Sequence, residues 1–158
     1  MLTAHKLAAF TVKTEGKTPS HAFTPLADPT RRLLTIAARN ADIIGLTGSK
    51  VRAVDDPFAE RIDFVRNATR DRVDSLELNL AITAMPRLGE TEPDLKLTRS
   101  YALDLSYEEI LSQLSVLSGS PRAIADTLLA YREKYGVSSF TVQDNNIDNF
   151  AKVIAELR

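Results

Sequence analysis

Residues 23–46, FTPLADPTRRLLTIAARNADIIGL, read as strand, turn, helix and strand. The first strand covers 23–27. Asp28 then precedes Pro29 and an apolar-periodic run. Asp suits the N-cap because its carboxylate accepts orphan amide protons of the first turn. Pro suits the first helical position, where its missing N–H costs no hydrogen bond. Leu33, Leu34, Ala37, Ala38 and Ala41 recur at helical spacing, with Arg31, Arg32, Arg39 and Asn40 mostly on the other side. The short apolar run over 42–46 suits a parallel strand covered on both faces. The unit is therefore βαβ, and a right-handed crossover is expected.

The same rhythm continues. Asp56-Pro57 repeats the cap-plus-proline start, and Phe58, Ile62, Val65 and Val73 define a helix running to about Val73. Residues 76–84, LELNLAITA, alternate: Leu76, Leu78, Leu80 and Ile82 share one face, Glu77 and Asn79 the other. Either that second face is solvated, or Glu77 and Asn79 point into a barrel as site residues. Residues 85–105 carry two prolines, a glycine and mixed charge, and read as an excursion or loop, with a partly helical and a disordered form as the alternatives. Ser106 and Glu109 make a capping box. Ser120-Pro121 starts a helix with Ile124, Ala125, Leu128 and Leu129 inward, cationic Arg132 and Lys134 in its last turn, and a Gly136 stop. A strand over 139–142, a turn over 143–146, and a last helix with Phe150, Val153, Ile154 and Leu157 inward complete the chain. Upstream, residues 7–12 read as a strand and 14–20 as a polar turn region.

Composition bounds the possibilities. The chain has 158 residues, one domain's worth, with the 44% apolar and 26% charged content of a globular protein. Net charge is −1, which removes the electrostatic basis for nucleic-acid or acidic-membrane binding. Zero cysteines exclude disulfides, thiol catalysis and thiolate metal sites. No apolar run reaches the ~20 residues of a membrane helix, and the N-terminus lacks a long apolar signal-type segment. A cytoplasmic location is expected. His5 and His21, the only histidines, lack converging ligands, so no metal is expected. Tyr101, Tyr107, Tyr131 and Tyr135 read as packing residues.

The block from Arg31 through Leu46, RRLLTIAARNADIIGL, resembles the luciferase-like monooxygenase family (LLM class), in particular its deazaflavin (coenzyme F-420)-dependent oxidoreductases. Members carry a Pro-x-x-x-Gly-Gly strand end, then Arg-Arg-x-Leu-x-x-Ala-Ala-Arg, then Ala-Asp and an apolar strand. The tail from Leu117 to Arg158 follows the family order of Gly-Ser-Pro, helix, Tyr-Gly turn, strand and terminal helix. The glycine-rich turn is replaced by Ala27-Asp28-Pro29-Thr30. Such a turn lets backbone approach a phosphate at a helix N-terminus. Here Asp28 adds negative charge and Pro29 removes a donor, leaving the N–H groups of Thr30 and Arg31. Gly48 and Ser49, beside Lys50 in the loop after a strand, are the other candidate cofactor contacts. A capped helix and a plain loop are the competing readings of these two places.

The resemblance implies the C-terminal half of a (β/α)8 TIM barrel: an α/β chain with about four parallel strands and their helices. It implies coenzyme F-420 or FMN as cofactor, and identifies no catalytic residue. A half-barrel leaves sheet edges open, so a homodimer or a complementary half-barrel chain is the expected partner. Three functions follow: a truncated luciferase-like oxidoreductase, a non-catalytic binding or structural module, and a subunit of a split enzyme.

Overall fold

In a computed structural model the described residues are 29–47, 56–69, 72 and 75–157. The expected strands over 7–12 and 23–27, Asp28, Gly48 and Ser49 lie outside them. The order is α1 (Pro29–Asn40), β1 (Ile43–Thr47), α2 (Pro57–Thr69), β2 (Glu77–Ala81), α3 (Lys96–Tyr101), α4 (Tyr107–Leu111), α5 (Pro121–Tyr135), β3 (Val137–Thr141) and α6 (Ile147–Glu156). The strands form one parallel sheet in the order β1-β2-β3. The architecture is mixed α/β, with three of the four expected strands among the described residues.

Local chemistry explains the element starts. Pro29 and Pro57 open α1 and α2, and the Asp56 Oδ1 accepts from the Ala59 amide at 3.0 Å. Ser106 and Glu109 close a reciprocal capping box on α4. Ser120 caps α5 through the Ala123 amide, and Gly136 ends it at φ 72°. Arg72 finishes α1 from outside: its guanidinium donates to the carbonyls of Arg39 and Ala41 and to Asp42 Oδ1. A cation suits that end of the helix dipole.

One hydrophobic core lies between the sheet and four helices. Ile44, Leu46, Leu78, Leu80, Ile82 and Val137 meet Ala37 and Ala38 of α1, Phe58, Ile62 and Val65 of α2, Ile124, Ala125 and Leu128 of α5, and Phe150 and Val153 of α6. Burying one such Leu or Ile side chain contributes roughly 1.5–3 kcal/mol. The helical stripes are narrower than the sequence suggests. Leu33 is 47% exposed, Leu129 42% and Leu157 38%, and none of the three joins a hydrophobic core. The second helix covers Pro57–Thr69 among the described residues, and Val73 lies outside them; the Thr69 hydroxyl donates to the Arg66 carbonyl at 2.6 Å.

The excursion is an ordered lobe. Thr83 and Ala84 continue β2 and pair with Ser115–Leu117 through the Thr83 amide to Ser115 O (2.8 Å) and the Leu117 amide to Ala84 O (2.9 Å). Ala84, Leu95, Ile110 and Val116 form a second small core. Polar content over 85–105 gives the loop reading; the partly helical alternative holds at α3, and Leu95 joins the small core.

Candidate functional site

Strand alternation leaves the other sheet face to Ile43, Gly45, Glu77, Asn79, Ala81, Ser139 and Thr141. None of these joins a hydrophobic core among the described residues. Ile43 is 56% exposed, and most of the others are half-buried. A β-bulge sets this face: Leu78 pairs with Val137 and Asn79 with Ser139, so Ser138 is the extra residue. Ser139 and Thr141 thereby join Asn79, and Phe140 turns toward the core beside Leu80. The Asn79 amide donates to Ser139 Oγ at 2.9 Å, and its carbonyl accepts from Thr141 Oγ1 at 3.1 Å. Asn79 is a bridge between strands, with both functional atoms engaged.

The C-terminal ends of β2 and β3 carry the richest polar chemistry. Gln143 Nε2 donates to the Thr83 carbonyl at 2.7 Å, and Thr98 Oγ1 reaches the same oxygen at 3.3 Å. The lobe is thus tied to both strands. Beside this junction a cavity of ≈ 260 Å³ is lined by Asp94, Lys96, Leu97, Ser100, Gln143, Asn145 and Asn146. Asp94 Oδ2 takes two N–H groups of Arg87 (2.7 and 3.1 Å), and Oδ1 takes the Lys96 amide. The Arg87 hydrogen bonds hold the Asp94 carboxyl below its ordinary value. Asn149, from α6, anchors the lobe by donating to the Pro86 carbonyl at 2.7 Å.

A second charged cluster belongs to the scaffold. Asp56 accepts from Lys134 Nζ and Tyr135 Oη, both at 2.8 Å. Burial pulls its pKa up, but bonds from Lys134, the Ala59 amide and Tyr135 outweigh that and lower it to about 2. The Arg66 guanidinium donates to Tyr135 O at 3.1 Å, and Phe58 meets the Tyr135 ring edge-on. Together these contacts bind α2 to the end of α5. Burial also pushes the Tyr131 phenol up to about 12. Among the described residues no group of three or more His, Cys, Asp or Glu is placed to hold a metal.

Thr30 and Arg31 occupy the first turn of α1. The Arg31 guanidinium stacks over the Phe64 ring, 5.5 Å from its centroid, and serves α1–α2 packing. The geometry relating them to Gly48 and Ser49 lies outside the described residues. Reading the chain as a sequence passes over Gln143, Asn145 and Asn146 as a turn and over residues 94–100 as excursion. One signal was available: the carboxamide-rich QDNN string directly follows a strand, at the sheet end where α/β folds place ligands.

Comparison with protein-family models, curated proteins and solved structures finds no match. No helix among the described residues is long and apolar enough to cross a membrane.

Proposed function

We propose that this chain is the C-terminal half of a luciferase-like (β/α)8 barrel, acting in a deazaflavin- or flavin-dependent oxidoreductase after association with a second copy or a complementary half-barrel. The observation that carries the reading is the one-sided sheet: four helices share a core with one face, while the opposite face presents Ile43, Gly45, Glu77, Asn79, Ala81, Ser139 and Thr141. In a closed barrel one face of every strand meets the helices and the other points inward. The RRLLTIAARNAD block and the Leu117–Arg158 tail support the same family.

Gly45 and Ala81 offer little more than backbone, so a flat ring system fits against that face. The ≈ 260 Å³ cavity lies below the ~300–1,000 Å³ of sites for drug-sized ligands, so the ring itself belongs over the open face. Asn79, Ser139 and Thr141 would border the ring there, with their hydrogen bonds to one another fixing their positions. The deazaflavin or flavin, when bound, supplies the hydride-transfer chemistry; the chain supplies orientation and polarity. Thr30, Arg31, Gly48 and Ser49 are the proposed phosphate-side contacts. A cytoplasmic setting accords with the absence of cysteine.

A non-catalytic module is the second reading. It is favoured by the engagement of Arg31 with Phe64, which withdraws a cation from phosphate binding, and by Asp28 in place of a glycine turn. Fluorescence titration of the folded protein with oxidised and reduced coenzyme F-420, and with FMN in parallel, separates them. Saturable micromolar binding is expected. Folded protein that binds neither, alone or as a dimer, refutes the cofactor assignment.

A further inference from the structure

Asn146 stands out among the polar residues of this fold. It is 5% exposed, it lines the cavity beyond β3, and its carboxamide has no hydrogen-bond partner among the described residues. It also occupies the N-cap of α6, yet its side chain makes no capping bond. Asn is favoured at N-caps because it can accept from the first-turn amides. A buried polar group left unpaired carries a desolvation penalty. A ligand that pairs with it recovers that cost.

The surrounding groups define what such a ligand must offer. Gln143 Nε2 donates one proton to Thr83 O, which leaves its second N–H and its Oε1 without a further partner among the described residues. Ser100 Oγ donates to Leu97 O at 2.7 Å and keeps its lone pairs. Asn145 and Asn146 each present a donor and an acceptor. Leu97, 45% exposed, adds an apolar surface. Charge along the lining is balanced: Asp94 and Lys96 oppose one another, and Asp94 also takes the Arg87 guanidinium. The site therefore has no strong preference for an anion. Closely spaced donors and acceptors beside one apolar surface match a chain of neighbouring hydroxyl groups, each of which both donates and accepts, with C–H bonds between them.

We propose that this cavity binds a small neutral polyol, with the Asn146 carboxamide as its central contact. A free monosaccharide or pentitol has this chemistry, and so has the ribityl arm of a flavin or deazaflavin. The site stands on Asn146 and its neighbours and does not depend on the cofactor reading.

The test is ¹H–¹⁵N NMR of the labelled full chain, following the side-chain amide pairs of Asn145, Asn146 and Gln143. Ribitol, glucose, riboflavin, lumichrome (the ring without the arm) and inorganic phosphate are titrated separately. Ribitol or glucose should shift the Asn146 amide pair saturably, with about millimolar affinity for so small a ligand. Riboflavin shifting the same pair while lumichrome does not would identify the cofactor arm as the occupant. Ribitol or glucose acting alone would identify a free polyol and leave the cofactor assignment to fail separately. Asn146→Leu should weaken binding about tenfold, the loss of one or two net hydrogen bonds. Ser100→Ala, at an exposed position, should weaken it severalfold and carries the test if N146L unfolds. Leu103→Ala, exposed and outside the cavity lining, should leave polyol binding unchanged. The proposal is overturned if no polyol moves the Asn146 pair in the folded chain. It is overturned equally if phosphate moves it and K96M abolishes that response, because the site would then be anionic.

Discussion

Asp56 offers a quantitative test of how the helices are held. Replacing it with Asn keeps the shape and the acceptor for the Ala59 amide, and removes the charge facing Lys134 Nζ. The folded carboxyl sits at about 2 against an ordinary 3.8, a difference of roughly two pH units. Full conversion at 1.36 kcal/mol per unit gives about 2.5 kcal/mol. Lys134 is 63% exposed, so solvent screens part of this, and the expected loss is about 1–1.5 kcal/mol at neutral pH. The sign follows from the direction of the shift. A depressed carboxyl stabilises the fold above its unfolded pKa near 3.8, and that stabilisation disappears as pH falls through about 2. Urea denaturation of wild type and Asp56→Asn, repeated at intervals across that window, should give stability curves that differ at neutral pH and converge in acid. Tyr135→Phe should lose part of the same energy, and the double variant should be non-additive, because both groups meet at Asp56 Oδ2. Parallel curves, offset equally at neutral and acid pH, would refute the assignment of this stabilisation to the ionised carboxylate.

Three further outcomes follow from packing and caps. Gly136→Ala places a methyl 2.7 Å from Arg66 Nη2 at a left-handed φ, so it should lower stability by about 1–2 kcal/mol and loosen the Arg66–Tyr135 bond, read by thermal melting. Ser106→Ala removes half of the α4 capping box and should cost about 0.5–2 kcal/mol, with accelerated amide exchange confined to residues 106–112. Leu80→Ala removes a fully buried side chain from the central strand and should cost about 2–5 kcal/mol, whereas Leu103→Ala, 82% exposed, should change the stability read by urea denaturation by less than about 0.5 kcal/mol.

What could be read from the chain was whatever a few neighbouring residues decide. Asp56-Pro57, the Ser106/Glu109 box, Ser120-Pro121 and Gly136 act within one turn of backbone, and each marks its helix end in the folded protein. Alternation likewise assigned Leu78, Leu80 and Ile82 to the buried face, because a strand's period of two is set by covalent geometry. Tertiary contacts decided the rest. Simple alternation along VSSFT groups Val137 with Ser139, but pairing with β2 inserts Ser138 as a bulge and moves Ser139 and Thr141 to the Asn79 face. The polar excursion became a lobe because Thr83–Ala84 and Ser115–Leu117, distant in sequence, share backbone hydrogen bonds. The cavity exists only where that lobe meets the end of β3. Nothing local to Gln143-Asp144-Asn145-Asn146 distinguishes a solvated turn from a site; the burial of Asn146 against residues 94–100 does, and burial is a property of the assembled fold.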